Sequence, residues 1–142
     1  MLKKIITYTD YNGVERTEPF YFNLSKAELM EMELGVTGGM TEMLDKIIHA
    51  KDAPSLMKTF KEMIMKSYGV KSDDGKRLIK SEELSIAFTQ TEAYSVLFME
   101  LITDDKAAAD FVNAIIPNEI KDKVAAQTEN KDEVVTQTAQ NA

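Results

Sequence analysis

Residues 5–22 read IITYTDYNGVERTEPFYF, and the fold turns on how this stretch pairs. Ile5-Ile6-Thr7-Tyr8-Thr9 is β-branched and aromatic, the composition that suits a pleated, half-buried surface. Asn12-Gly13 follows, the dipeptide best fitted to the positive φ angles of a type I′ turn. The return arm runs from Val14 to Phe22. With Asn12 and Gly13 as the two loop residues, Tyr11 pairs with Val14 and Ile5 with Phe20. Ile5, Phe20 and Phe22 then share one face and can cover helices. Pro19 lacks an amide donor, so its position should face an edge. A two-stranded hairpin is marginal alone, so this one must pack on something or pair with another chain.

What it packs on is read from the rest of the chain. Ser25-Lys26-Ala27-Glu28 has the form of a capping box, with Leu24 and Leu29 placed for a hydrophobic staple. A short helix follows to about Leu34, with Gly35 as its stop. After Gly38-Gly39, a second helix carries Met40, Met43, Leu44, Ile47 and Ile48 at spacings of three and four. Pro54 fits the first turn of a third helix, whose stripe is Leu56, Phe60, Met63 and Ile64, widened by Met57 and Tyr68. Gly69 reads as its C′ residue. The polar loop after it, residues 70–77, contains Asp74-Gly75, a turn signal that allows a small second hairpin.

Three more helices follow. Ser81 caps the first, through Leu84, Ala87 and Phe88, and Thr91 the next, with Tyr94, Leu97, Phe98, Leu101 and Ile102. Asp104 or Asp105 starts the last, with Ala108, Phe111, Val112, Ile115 and Ile116. Pro117 closes the periodicity, apart from a weak turn through Ile120 and Val124. From Ala125 onward the chain is polar and has no stripe, so it cannot offset its ordering entropy. The class expected is therefore mainly α: a compact bundle of about five or six short helices with an N-terminal β-hairpin and a disordered C-terminal tail. The division expected is 1–24 for the hairpin, 25–120 for the helical domain and 121–142 for the tail.

Composition excludes more than it proposes. The 142 residues carry a formal net charge of −7, with 44% hydrophobic and 29% charged residues. That balance suits a soluble globular chain and disfavours nucleic acid, which needs clustered Lys and Arg. The longest basic stretch, Lys71 to Lys80, is diluted by Asp73 and Asp74. No run approaches the ~20 apolar residues of a membrane span, and the apolar start is too short for a signal-peptide core. With no cysteine, disulfides, thiolate nucleophiles and thiolate-bound metals are all absent.

Chemistry is equally sparse. The one histidine, His49, lies near the end of the second helix, where it favours the helix dipole; no nucleophile or orienting acid is marked beside it. Ser72-Asp73-Asp74-Gly75 fails the ligand spacing of a calcium loop. Glu82-Glu83 and Asp104-Asp105 read as acids at helix starts, and Gly35, Gly38 and Gly39 match no phosphate-binding loop. No catalytic residue, cofactor or metal is expected, and the chain is read as a non-enzyme.

The nine methionines carry more information. Met is flexible and polarisable, so it fills irregular core gaps and also serves adaptable binding surfaces. Met57, Lys61 and Met65 fall on a face flanking the main stripe of the third helix. With Tyr68, they are the candidate partner-binding residues, suited to an amphipathic helix.

Phe60 to Ser81 (FKEMIMKSYGVKSDDGKRLIKS), Phe88 to Leu101 (FTQTEAYSVLFMEL) and Phe111 to Pro117 (FVNAIIP), with the opening hairpin and Phe22-Asn23-Leu24-Ser25, resemble tail assembly chaperones of long-tailed bacteriophages with Gram-positive hosts. The resemblance covers roughly residues 1 to 120. It implies a non-catalytic protein of the host cytoplasm that coats the tape measure protein until tail tube subunits polymerise around it, and that is missing from the finished virion. It implies as partners the tape measure protein, the tail tube protein, further copies of the chain and a longer, frameshifted form of it. The rival reading is a structural tail component, a tube or completion protein retained in the particle. Such a protein would invest more of the chain in β-sheet. A small phage-encoded enzyme or enzyme inhibitor has no supporting constellation.

Overall fold

The computed structural model describes residues 1–35 and 53–117. In chain order these form β1 (Leu2–Thr9), β2 (Glu15–Phe22), α1 (Lys26–Gly35), α2 (Ala53–Ser67), β3 (Tyr68–Lys71), β4 (Leu78–Ile79), α3 (Glu82–Thr89), α4 (Glu92–Thr103) and α5 (Asp105–Ile115). The strands make one antiparallel sheet in the order β1-β2-β3-β4. The helix expected around Met40 to Ile48, His49, the turn through Ile120 and Val124, and the polar tail lie outside the described residues.

A mainly α bundle is therefore not what forms. The hairpin is half of a four-stranded sheet, and with five helices among the described residues the protein is α+β. Gly69 is the physical reason. It is not a left-handed helix terminator, since the positive-φ glycines among the described residues are Gly13 and Gly75. It lies in β3, opposite Tyr21 of β2. A Cβ at that position would sit 2.6 Å from Leu78 Cγ and 3.0 Å from the Ile79 carbonyl oxygen of β4. Glycine lets β4 close onto β3, so the polar loop becomes a second hairpin. In its turn the Asp74 carboxylate accepts the Lys76 amide (2.9 Å) and the Ser72 hydroxyl (2.7 Å).

The first hairpin forms in a register one residue away from that expected. Ile5 pairs with Pro19 and Lys4 with Phe20. The loop holds three residues rather than two, because Asp10 organises it. The Asp10 carbonyl accepts the Gly13 amide (3.0 Å). Its carboxylate accepts the amides of Asn12 (2.8 Å) and Val14 (2.9 Å) and the Arg16 Nε (2.6 Å). Gly13, at φ 82°, then occupies the left-handed position of a three-residue hairpin loop. A one-residue slip exchanges faces. Ile6 is buried with Phe20 and Phe22 on the helix side, and Ile5 is 55% exposed on the other. Pro19 sits where β2 has no neighbour beyond β1, since β3 reaches only Tyr21 and Phe22.

The helices cover one face of this sheet. The core takes residues from the hairpin (Ile6, Phe22), from α2 (Phe60, Met63, Ile64) and from α3 to α5 (Phe88, Leu97, Leu101, Phe111, Ile115). Phe22, fully buried, makes ring contacts to Tyr68, Phe88 and Phe111 at 5.4–5.8 Å between centroids, and Phe88 touches Phe20, Tyr68 and Tyr94 as well. Fully burying a ring of this size is worth about 2–3 kcal/mol. Helix starts are fixed by local chemistry. Glu28 N–H donates to Ser25 Oγ (3.1 Å), and Ser25 N–H donates back to Glu28 Oε1 (2.9 Å). Ser81, Thr91 and Asp104 accept the amides of Leu84, Tyr94 and Ala107. Each such cap contributes about 1 kcal/mol.

Candidate functional site

α2 is two-faced. Phe60, Met63, Ile64 and Ser67 point inward and are at most 1% exposed. Ser67 Oγ donates to the Met63 carbonyl (2.7 Å), closing the last turn without an unpaired buried hydroxyl. The Ser67 carbonyl accepts the Asn23 amide (2.8 Å), which anchors the end of the helix to the chain leaving β2. Met57, Lys61 and Met65, four residues apart, share the flank of the helix and span about 12 Å along it. Met57 is 39% exposed, Lys61 exposed and Met65 half-buried. Lys61 makes no ion pair among the described residues, so its ammonium is available to a carboxylate from outside.

Tyr68 does not join them. The helix ends at Ser67, and Tyr68 opens β3 opposite Phe22. Its ring stacks on Phe88, 4.4 Å between centroids and 9° from parallel. Burial raises its phenol pKa above the usual value. Of the four candidate residues, three form one surface and Tyr68 belongs to the aromatic core.

The other methionines divide the same way. Met63 is fully buried, while Met30 is 62% and Met99 54% exposed. A stripe reading of α2 alone separates Met57 from Met63. The exposure of Met30 and Met99 depends on which flank of α1 and α4 the sheet covers, and short-range spacing does not report that.

A second concavity was not anticipated. A groove of about 370 Å³ lies between β1 and α5, lined by Leu2, Lys4, Glu100, Lys106, Asp110 and Phe111 among others. The Lys4 ammonium and the Glu100 carboxylate meet across it at 2.7 Å. These partners are 96 residues apart in sequence, so no local motif announces the pair. Among the described residues no three acidic, histidine or cysteine side chains gather as a metal site, and no helix is long and apolar enough to cross a membrane.

Fold and surface together define a small α+β protein with methionines exposed on its helices. The protein-family model of the phage tail assembly chaperones matches residues 1–142, and the chain belongs to that family. No curated protein and no solved structure gives a match.

Proposed function

We propose that this tail assembly chaperone binds the tape measure protein and keeps it soluble until the tail tube polymerises around it. The observation that carries the reading is the flank of α2. It presents two adaptable thioethers and an uncommitted ammonium in a row, on a helix whose opposite side is locked into the core. An amphipathic client helix with an acidic border fits such a face, and a net charge of −7 favours solubility of the complex. Many copies along one long client add avidity.

On this reading the protein works without catalysis in the host cytoplasm and leaves before the virion is finished. Tail tube protein, further copies of the chain and a longer frameshifted form are its remaining partners. Co-expression with a tape measure fragment tests the proposal. The fragment should stay in the supernatant and co-purify with the wild-type chain, and Met57→Glu with Met65→Glu should release it. A client that aggregates to the same extent with and without the chaperone sinks the idea.

A further inference from the structure

β1 is an edge strand: on one side it pairs with β2 along its whole length, and on the other it has no strand among the described residues. Asp10 N–H bonds to the Val14 carbonyl, and ladder groups alternate in direction along a strand. The amides and carbonyls of Lys3, Ile5, Thr7 and Thr9 therefore point to the free edge. The edge carries no proline, so its amides and carbonyls can pair with another strand.

We propose that two copies of this chain pair antiparallel through the β1 edges, with the two-fold axis at Ile5. This gives the self-association proposed above a surface and rests on that reading. The exposed Ile5 at the centre of the strand makes the edge self-complementary and points to a second copy, and charge sets the direction. β1 carries only two charged side chains, Lys3 and Lys4, both near its start. Parallel pairing would set lysine against lysine. With Ile5 against Ile5 of the second copy, Lys3 faces Thr7 and Lys4 faces Ile6. The two Lys3 positions are then about 13 Å apart at ~3.3 Å per residue, beyond the ~8 Å screening length of physiological salt. Lys4 is already neutralised by Glu100. On the helix side Leu2 meets Tyr8 of the other copy beside the groove floored by Phe111. On the open side the axis covers Ile5, the β1 residue with the largest exposed apolar surface of the strand proper.

Seven β1 residues per copy, Leu2 to Tyr8, make a contact below the usual size of a stable interface, so a dissociation constant of about 10–100 μM is expected. Sedimentation equilibrium of the purified full chain between about 10 and 500 μM tests it in the absence of any client. The wild type should move from monomer to dimer across that range. Ile5→Lys sets like charges on the axis and should weaken the dimer at least about tenfold, while Thr17→Lys, exposed on β2, should not. The chain has no cysteine, so Ile5→Cys gives a clean second readout. Paired residues at about 5.5 Å between Cα atoms permit a disulfide, and oxidation should yield a covalent dimer that Thr17→Cys does not give. A chain that stays monomeric at the highest concentration, or an Ile5→Lys dimer as tight as wild type, overturns this interface and leaves client binding untouched.

Discussion

Replacing Lys80 with methionine keeps the length of the side chain and removes one ammonium that four oxygen atoms of three groups share. Lys80 Nζ lies 2.5 Å from the Asn23 carbonyl, 2.8 and 2.7 Å from the two Glu28 oxygens and 3.1 Å from the Lys66 carbonyl. It thus joins the exit of β2, the capping box of α1, the end of α2 and the chain entering α3. The side chains of Lys80 and Glu28 are 20% and 35% exposed, so water replaces part of what is lost. Charge-assisted hydrogen bonds are worth about 1.5–3 kcal/mol each when well desolvated. With that discount for screening, Lys80→Met should cost about 2–3 kcal/mol in total. For a chain of this size that lowers Tm by roughly 6–10 °C. Differential scanning calorimetry of Lys80→Met, Glu28→Gln and the double variant gives the coupling, expected at about 1–2 kcal/mol. The pH dependence supplies an independent check. Burial raises the Glu28 pKa, but Lys80 and the Ser25 amide outweigh it and hold the carboxyl below its ordinary value of 4.5. A depressed folded-state pKa contributes stability above the unfolded value and loses it as pH falls through the folded one. The Tm gap between wild type and Lys80→Met should therefore be full at pH 7 and narrow as pH falls below about 4.5, leaving the part owed to the Asn23 and Lys66 carbonyls. A loss under about 2 °C at pH 7, or a gap that widens in acid, would refute the reasoning.

Three further outcomes follow from single contacts. Gly69→Ala forces a Cβ against Leu78 Cγ and the Ile79 carbonyl and should cost about 1–3 kcal/mol; chemical denaturation should show Leu78→Ala partly rescuing it. Asp10→Asn should speed amide exchange at Asn12 and Val14 and loosen the hairpin register. Arg16 and the turn amides hold the Asp10 carboxyl below its ordinary pKa, so the difference from wild type should fade as acid protonates it, which exchange measured across pH will show. Met63→Ala, at a fully buried site, should cost about 2–5 kcal/mol, whereas Met57→Ser should stay within about 0.5 kcal/mol. Equal losses at the two positions would show that Met57 packs like a core residue.

Capping was legible in the sequence because its chemistry is local. Ser25 with Glu28, Ser81, Thr91 and Asp104 all accept the amides that their spacing assigns them. The hairpin was legible as a hairpin, yet not in its register. Asn12-Gly13 fits a two-residue loop, but the Asp10 carboxylate gathers two amides and an arginine and lengthens the loop by one. That exchanged Ile5 for Ile6 in the core. The sheet was the larger miss. β3 and β4 span four and two residues, too few for alternation to register, and a glycine after a helix reads as a stop. Only the tertiary approach of Leu78 shows why Gly69 is there. The candidate site divided along the same line. Helical spacing correctly groups Met57, Lys61 and Met65 on one flank, and it fails at Tyr68 because the helix has already ended.

The division between phenylalanine and methionine bears on what the surface is for. The chain has six phenylalanines, and Phe20, Phe22, Phe60, Phe88, Phe98 and Phe111 all lie in the core or against it. Rings with fixed rotamers and tilted contacts specify one packing, so the core is not the forgiving interior that a methionine-rich composition suggests. Among the described residues Met63 alone of the methionines belongs to the buried cluster, while Met30, Met57 and Met99, beyond the terminal Met1, are exposed. A thioether stabilises a core by filling gaps, and these three fill none. On the proposed function they supply adaptable contacts, since flexibility lets one side chain fit many partner surfaces. A rigid aromatic interior beneath an adaptable exterior is the division that the proposed reversible binding of a helical client calls for.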